Sequence, residues 1–236
     1  MPVRLSTLLP LFFAACLTAC YQDKNADELD PYFFEPDPGA NPFDRYAAVP
    51  DSLKTLFYRD DFFTADDWYT GHDGQFSAVI AGGLYDIRNN DETTLQWVTK
   101  TVALDYARNF EVEALLSVQS ATPDDGAGLL LGGAGGEDFI CMLFDDENRC
   151  TILGYEDGEN KYNTFHPWSN TLPYYRSGEP TLVTIRKVQD KYYFFVNQRL
   201  IRTVPVDPHL DETIGFMAKG DATMQVDFIS AYYLDI

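Results

Sequence analysis

The strongest constraint on the fold is a period-two alternation of side chains in short segments. In the clearest of these segments, the apolar series is Phe110, Val112, Ala114, Leu116 and Val118, and the residues between them are Glu111, Glu113, Leu115 and Ser117. A period of two places alternate side chains on opposite faces of an extended strand. Residues 192–197 alternate in the same way, and no segment keeps a helical period for three turns. These patterns predict β-strands.

Ten further apolar segments, separated by Gly, Asp and Asn turns, have the length of strands. They are residues 75–80, 84–88, 95–101, 127–131, 139–144, 150–155, 182–188, 200–204, 214–218 and 224–233. A dozen short strands in about 180 residues are typical of an antiparallel sandwich or barrel. We therefore predict an all-β fold, a single antiparallel sandwich or barrel domain over residues 56–236.

The first twenty residues have the three parts of a secretory signal. Arg4 is followed by an apolar run from Leu8 to Leu17 and then by Leu17-Thr18-Ala19-Cys20. The apolar run is too short to span a bilayer. The last four residues resemble the lipobox of bacterial lipoproteins, which implies cleavage after residue 19 and lipid on Cys20. Cys16 is a competing position, and an ordinary secreted protein is the alternative.

The residues after Cys20 bear on location. Tyr21 stands where an aspartate favours retention in the inner membrane of enteric bacteria. Asp23, Asp27, Glu28 and Asp30 follow, and they resemble the acidic export tethers of Bacteroidota surface lipoproteins. We expect an outer-membrane lipoprotein, periplasmic or surface-exposed, that contacts the membrane through its lipid anchor only, since no later apolar run is long enough to cross it.

Residues 20–55 are predicted to form a flexible tether. Prolines stand at positions 31, 36, 38, 42 and 50 among many acids, without a sustained period. This composition favours an extended chain. The segment also contains more aromatic residues than a spacer needs, so that some are expected to pack onto the domain: Tyr32, Phe33, Phe34, Phe43 and Tyr46.

The charge of the chain excludes one class of partner. The formal net charge is −20, and it becomes −21 when the single positive charge of Arg4 is removed with the signal. Such a surface repels phosphate backbones, so nucleic acid is not an expected partner. Acidity of this size also keeps a secreted domain soluble, and it leaves divalent cations as possible ligands.

Two cysteines, Cys141 and Cys150, fall within the predicted domain. They flank a predicted hairpin turn in which Asp145 faces Arg149, and this register places Cys141 opposite Leu153. The two thiols do not meet in that register, although an oxidising envelope would permit a disulfide. Without a histidine cluster the pair is not a zinc site.

Several segments carry a resemblance to a known fold family. They are Phe57-Tyr58-Arg59-Asp60-Asp61-Phe62, residues 110–114, residues 182–188, residues 191–197, Ile214-Gly215-Phe216 and Val226-Asp227-Phe228. Their order resembles the concanavalin A-like, or laminin-G-like, jelly-roll domains common in Bacteroidota proteins. The resemblance implies the fold, whereas its members include lectins, glycosidases and scaffolds. Many relatives have Asn-Gly where this chain has Asn197-Gln198, which predicts a different turn type here.

Catalytic signatures are weak. The glycosidases of this fold use a Glu-x-Asp-x-x-Glu strand, and Glu111-Val112-Glu113 is the nearest segment in this chain. Two-carboxylate catalysis needs a second acid, but Leu115 and Leu116 stand where it should follow. A solvated strand face accounts better for the pair. The three histidines are far apart, at positions 72, 166 and 209. We therefore predict that the protein is not an enzyme.

Aromatic residues support a binding function. Trp68, Trp97, Trp168, Tyr174 and Tyr175 can stack on sugar rings. The segment 165–176 is predicted to be a ligand-binding loop, because loops on a rigid sandwich commonly carry binding residues. Its candidates are His166, Trp168, Tyr174, Tyr175 and Arg176. Core or plug positions are the alternative for the tryptophans.

The resemblance also implies a cofactor candidate, since jelly rolls of this type often hold a structural Ca²⁺ where the first and last strands meet. Asp60, Asp61 and Asp227 fall there, and oxygen ligands suit a hard cation. A solvated edge is the alternative. The resulting prediction is a lipid-anchored, non-catalytic carbohydrate-binding module. An assembly lipoprotein that contacts an envelope protein is the second hypothesis, and a glycoside hydrolase is the third.

Overall fold

The computed structural model describes residues 41–120, 124–134, 138–156, 161–205 and 210–236. The predicted signal peptide, Cys20 and the tether up to residue 40 lie outside the described residues. The described chain forms three short 3-10 helices, Pro42–Asp44, Tyr46–Ala48 and Asp51–Leu53. Within it, no helix is long and apolar enough to cross a membrane.

Fifteen strands make up the rest of the secondary structure. They are β1 (Lys54–Asp60), β2 (Gly71–Asp73), β3 (Phe76–Ala81), β4 (Leu84–Asn89), β5 (Leu95–Thr101), β6 (Phe110–Ser120), β7 (Gly126–Gly132), β8 (Phe139–Phe144), β9 (Arg149–Glu156), β10 (Lys161–Asn170), β11 (Thr181–Val188), β12 (Lys191–Val196), β13 (Arg199–Pro205), β14 (Thr213–Lys219) and β15 (Ala222–Leu234). All twelve predicted strands are confirmed, with ends that shift by one or two residues.

The strands form two antiparallel sheets. The nine-stranded sheet has the order β13-β12-β11-β6-β15-β4-β3-β2, and β1 also pairs with β15. The six-stranded sheet has the order β10-β9-β8-β7-β14-β5. Their inner faces enclose one large apolar core that takes Val112 and Phe194 from one sheet and Phe144 and Phe216 from the other. The fold is the predicted concanavalin A-like jelly-roll sandwich.

The predicted tether boundary at residue 55 lies too far along the chain. Residues from Asn41 onward pack on the outer face of the nine-stranded sheet, where Phe43, Tyr46 and Val49 join a second apolar cluster with Tyr193 and Phe195. The segment is held because alternate residues of β12 present large aromatic rings on this outer face as well as on the inner one. The expectation that Phe43 and Tyr46 pack back onto the domain is confirmed.

The prediction of a solvated face for Glu111 and Glu113 is wrong. Both side chains are buried beneath residues 41–54. Glu111 lies 2.6 Å from Lys54 Nζ and 2.5 Å from Arg186 Nε, and Glu113 accepts hydrogen bonds from Tyr46 and Thr184. Burial of these carboxylates is tolerated because Glu111 is paired with two cations and Glu113 is hydrogen-bonded, as an unpaired buried charge is very costly.

Arg186 joins the same buried network. Its side chain is fully buried, and its guanidinium lies 5.0 Å from the ring centres of both Tyr46 and Phe195. It also donates a 2.9 Å hydrogen bond to the backbone oxygen of Tyr46. The network therefore ties the 41–54 segment to the sheet with both charge and aromatic contacts.

About half of the predicted loop at 165–176 belongs to a strand. β10 continues to Asn170 and contains Pro167. A proline interrupts a ladder, so within sheets it is confined to edges and bulges. β10 is an edge strand, and its register with β9 shifts twice, between Thr164 and His166 and between His166 and Ser169. The edge position is what allows a proline-bearing segment to extend the sheet.

The β8–β9 turn has the predicted register. The Asp145 N–H donates to Arg149 O, and Cys141 pairs with Leu153. Cys150 lies in the inner core, whereas Cys141 lies in a cluster on the outer face of the six-stranded sheet. Both cysteines are free because they project from opposite faces.

The expectation that Asn197-Gln198 forms a different turn type from the Asn-Gly hairpins of relatives is wrong. Val196 pairs with Arg199, so the loop has two residues, and their φ angles are 45° and 68°. Two consecutive positive φ angles are typical of a type I′ hairpin. Asn197 is held there because its side chain accepts from Leu182 N and donates to Tyr174 O.

Candidate functional site

A groove of about 570 Å³ lies on the outer face of the six-stranded sheet, whereas the 41–54 segment packs on the other sheet. Residues from β5, β8, β9, β10 and β14, together with the turns before β5 and β7, line it. They are Glu92, Thr93, Thr94, Leu95, Asp124, Asp125, Phe139, Thr151, Leu153, Tyr162, Thr164, Pro167, Trp168, Lys219 and Gly220. A groove of this volume has room for a small ligand.

One wall of the groove is aromatic. Phe139 on β8 and Tyr155 on β9 are stacked with ring centres 5.7 Å apart, and Tyr162 on β10 lies 4.8 Å from Tyr155. Tyr162 is 61% exposed. Cross-strand neighbours on one face of a sheet bring such rings together. The wall therefore ends in a tyrosine ring that is open to a ligand.

Trp168 forms another part of the lining. Its indole lies against Gly126 on β7, where a Cβ would come within 2.9 Å of the ring. The Arg149 guanidinium lies 5.6 Å from the centre of the same indole. Trp168 is half-buried: it packs against the outer-face cluster and lines the groove.

The outer-face cluster beneath the groove is apolar. The side chains of Leu130, Cys141, Leu143 and Met217 are fully buried there, although they point away from the sandwich core. Trp97 packs against them and donates a 2.9 Å hydrogen bond to Gly133 O. Alternate residues of β7, β8 and β14 thus fill both faces of the sheet and hold it rigid.

Polar groups surround one end of the groove. Arg149 lies 2.6 Å from Asp145 and 3.2 Å from each of Asp124 and Glu147. Lys219 Nζ donates a 2.6 Å hydrogen bond to the backbone oxygen of Asp124. These two cations therefore already have negative or carbonyl partners.

The other predicted binding residues do not line this groove. Tyr175 is buried, and its hydroxyl donates a 2.8 Å hydrogen bond to Asp145 O, so its assignment as a ligand contact is wrong. Tyr174 is half-buried against the inner core, with Arg199 5.5 Å from its ring centre. Arg176 is exposed in the loop after β10.

His166 also lies outside the groove lining. It is half-buried on β10, and burial together with the positive charge of Arg202 lowers its pKa. Trp68, for which a core position was the preferred alternative, is buried in the inner core and donates a 2.8 Å hydrogen bond to Asp60. Only Trp168 of the five candidates from segment 165–176 reaches the groove.

The calcium candidates are not assembled into a site. Asp60 accepts hydrogen bonds from Phe62 N and Trp68 Nε1, which engages both of its carboxylate oxygens. Asp61 pairs with Arg59 at 2.6 Å, and Asp227 is exposed on β15. Across the described ranges, no group of three or more His, Cys, Asp or Glu side chains is placed to hold a metal ion.

Sequence reasoning missed Phe139 and Tyr162 as groove residues and Tyr155 as the ring that packs against both. Phe139 and Tyr155 stood within predicted strands, but no signal indicated which face was open. Tyr162 belongs to a segment that forms the start of β10. The proline at position 167 obscured the strand in the sequence.

Comparisons with known proteins support the fold. No family model and no curated protein matches the chain. Solved structures do. One is described as an endo-acting O-glycanase that members of the human gut microbiota express to initiate mucin breakdown. It has a TM-score of 0.58 at 12% identity and covers 77% of this chain and 100% of its own.

Two further structures are similar at the same level. The LamAcat structure from Zobellia galactanivorans has a TM-score of 0.55 at 11% identity, with 77% of this chain and 99% of its own covered. An endo-β-1,3-glucanase from Pyrococcus furiosus has a TM-score of 0.55 at 12% identity, with 77% and 95% covered. At these identities the likeness establishes the jelly-roll fold.

Proposed function

We propose that the protein is a non-catalytic carbohydrate-binding module whose ligand lies in the groove of the six-stranded sheet. The observation that carries the proposal is the aromatic lining, in which exposed Tyr162 and half-buried Trp168 flank a groove of about 570 Å³. Flat amphipathic rings suit the C–H faces of sugars, and nearby hydroxyl groups such as that of Thr164 can bond to sugar hydroxyls.

The position of the acidic pair supports binding without hydrolysis. Glu111 and Glu113 were the nearest match to a glycosidase motif, and they lie on the other sheet beneath residues 41–54. Paired with Lys54 and Arg186, Glu111 has no access to a ligand in the groove. Solved structures of similar fold are named as glucanases and O-glycanases, which is consistent with a glycan ligand here.

The test is a glycan array that includes laminarin oligosaccharides and mucin O-glycans, followed by calorimetric titration of each hit. Tyr162→Ala is expected to weaken binding about fivefold to tenfold, because an aromatic contact contributes of order 1 kcal/mol. Tyr69→Ala is the matched control, since Tyr69 is also exposed but belongs to the region before β2. Equal losses in both variants, or no hit at all, would contradict the proposal.

Hydrolysis of a bound glycan would instead favour the hydrolase hypothesis. Product analysis by chromatography after prolonged incubation with laminarin distinguishes the two. If no glycan binds and a pull-down from native membranes recovers one stoichiometric envelope protein, the assembly hypothesis takes the place of the carbohydrate-binding one.

We further propose that the chain is an outer-membrane lipoprotein acylated on Cys20, periplasmic or surface-exposed. The proposal is supported by the order of Arg4, the apolar run and Leu17-Thr18-Ala19-Cys20. Labelling of cells with radioactive palmitate should mark the wild type, whereas Cys20→Ala should lose the label and leave the membrane fraction. An unlabelled wild type would overturn the anchor, and Cys16→Ala serves as the control.

A further inference from the structure

The charge around the groove is strongly one-sided. Three carboxylates, Glu92, Asp124 and Asp125, belong to its lining, against one cation, Lys219. Next to them, Arg149 brings one more positive charge, and its partners Asp145 and Glu147 bring two more negative ones. In and next to the groove there are thus five carboxylates and two cations, a formal net charge of −3.

Both cations already contact oxygen atoms of the protein. Arg149 Nη2 lies within 3.2 Å of Asp124, Asp145 and Glu147, and its contact with fully buried Asp145 is shortest, at 2.6 Å. Lys219 Nζ donates a hydrogen bond to the backbone oxygen of Asp124. A sulfate or carboxylate on a ligand would therefore compete with carboxylates that already offset the charge of Arg149.

The surrounding field acts in the same direction. The chain has a net charge of −20, and charges within roughly 8 Å are not fully screened at physiological ionic strength. Two like charges about 4 Å apart repel by about 1 kcal/mol even in bulk water, a roughly fivefold effect on affinity, and by more near a protein surface.

We infer that the groove selects uncharged glycans and rejects those that carry sulfate, sialic acid or uronic acid. This inference rests on the proposed function and adds the chemical class of its ligand. The aromatic wall supplies stacking that does not depend on ligand charge, while the acidic end discriminates by repulsion. Such repulsion is a common source of specificity.

The experiment is a glycan array that contains neutral glycans, such as laminarin oligosaccharides, beside sulfated, sialylated and uronic-acid glycans, read at 20 and 500 mM NaCl. Hits are expected among the neutral glycans with affinities that change little with salt. Tight anionic hits at low salt that Tyr162→Ala weakens would overturn the selectivity and leave the proposed function intact. No hit in any class would contradict the proposed function itself, and the inference with it.

A charge-reversal pair tests the cause. Glu92→Lys places a cation in the groove lining, and Asp227→Lys makes the same change at an exposed position on the nine-stranded sheet. Binding of dextran sulfate at 50 mM NaCl should increase about tenfold or more in Glu92→Lys relative to Asp227→Lys. Equal increases in the two variants would show that only the total charge matters and would overturn the inference.

Discussion

The hydroxyl of Tyr46 donates a hydrogen bond to the carboxylate of Glu113, which lies 67 residues further along the chain on β6. This contact joins the N-terminal 3-10 segment to the middle of the nine-stranded sheet. Through this contact, residues 41–53, which the sequence predicts to be a tether, become part of the folded domain. Burial and the neighbouring Glu113 carboxylate both raise the pKa of Tyr46, so the hydroxyl is protonated and able to donate.

Tyr46→Phe should destabilise the domain by about 1.5–3 kcal/mol, because a buried hydrogen bond to a charged group is lost while the ring contacts stay. Urea unfolding followed by fluorescence measures the change. Tyr69→Phe, at an exposed position, is the control and should change stability by less than about 0.5 kcal/mol. Equal stability of Tyr46→Phe and wild type would show that the hydrogen bond to Glu113 contributes little to the domain.

Glu113→Gln should become more stable relative to wild type as the pH rises. Burial and the nearby Glu111 raise the pKa of Glu113 against the opposing effects of Tyr46, Lys54 and Thr184. A raised carboxyl pKa means that the folded state holds the proton more tightly than the unfolded state. The residue's contribution to stability therefore falls as the pH increases above the ordinary glutamate pKa of about 4.3.

The measurement is the difference in unfolding free energy between wild type and Glu113→Gln at several pH values from 4 to 8. The other acidic groups are common to both proteins and cancel in the difference. Glu179→Gln, at an exposed loop position, is the control. A difference that does not vary with pH would contradict the prediction.

Gln198→Gly should stabilise the β12–β13 hairpin by about 1 kcal/mol, because Gln198 has φ of 68° and only glycine adopts this region without a steric cost. Thermal unfolding monitored by circular dichroism measures this gain in stability. Asn197→Gly is the matched comparison: it relieves a similar φ but removes the bonds to Leu182 and Tyr174. It should give no net gain, and a larger gain there than at position 198 would refute the explanation.

Cys141 and Cys150 should resist thiol reagents in the native protein. Burial raises the pKa of both thiols to about 12, so the reactive thiolate is scarce at neutral pH. Reaction with Ellman's reagent should be slow in buffer and should reach two thiols in guanidinium chloride for the chain from residue 21 onward. Formation of a Cys141–Cys150 disulfide under mild oxidation would contradict their placement on opposite faces.

Local patterns were sufficient for most strands and for one hairpin register. The period-two segments marked β6 and β12, and the Asp145 to Arg149 turn set the pairing of Cys141 with Leu153. Such predictions succeed because alternation and tight turns depend on residues that are adjacent in sequence. The same patterns were silent on β10, where Pro167 is tolerated only because that strand has a neighbour on one side.

The sequence by itself determined an all-β antiparallel fold, because alternation specifies which side chains share a face of each strand, and the resemblance of its segments to concanavalin A-like domains indicated the jelly roll. Only the tertiary structure decided what covers each face. Glu111 and Glu113 are buried because a distant segment of the chain covers them. Tyr46, 67 residues before Glu113, contacts Glu113, and Lys54 contacts Glu111. Tyr162 and Trp168 line a groove because none of the described residues covers this part of the outer side of the six-stranded sheet. Burial is a property of contacts between residues distant in sequence, and no local period records it.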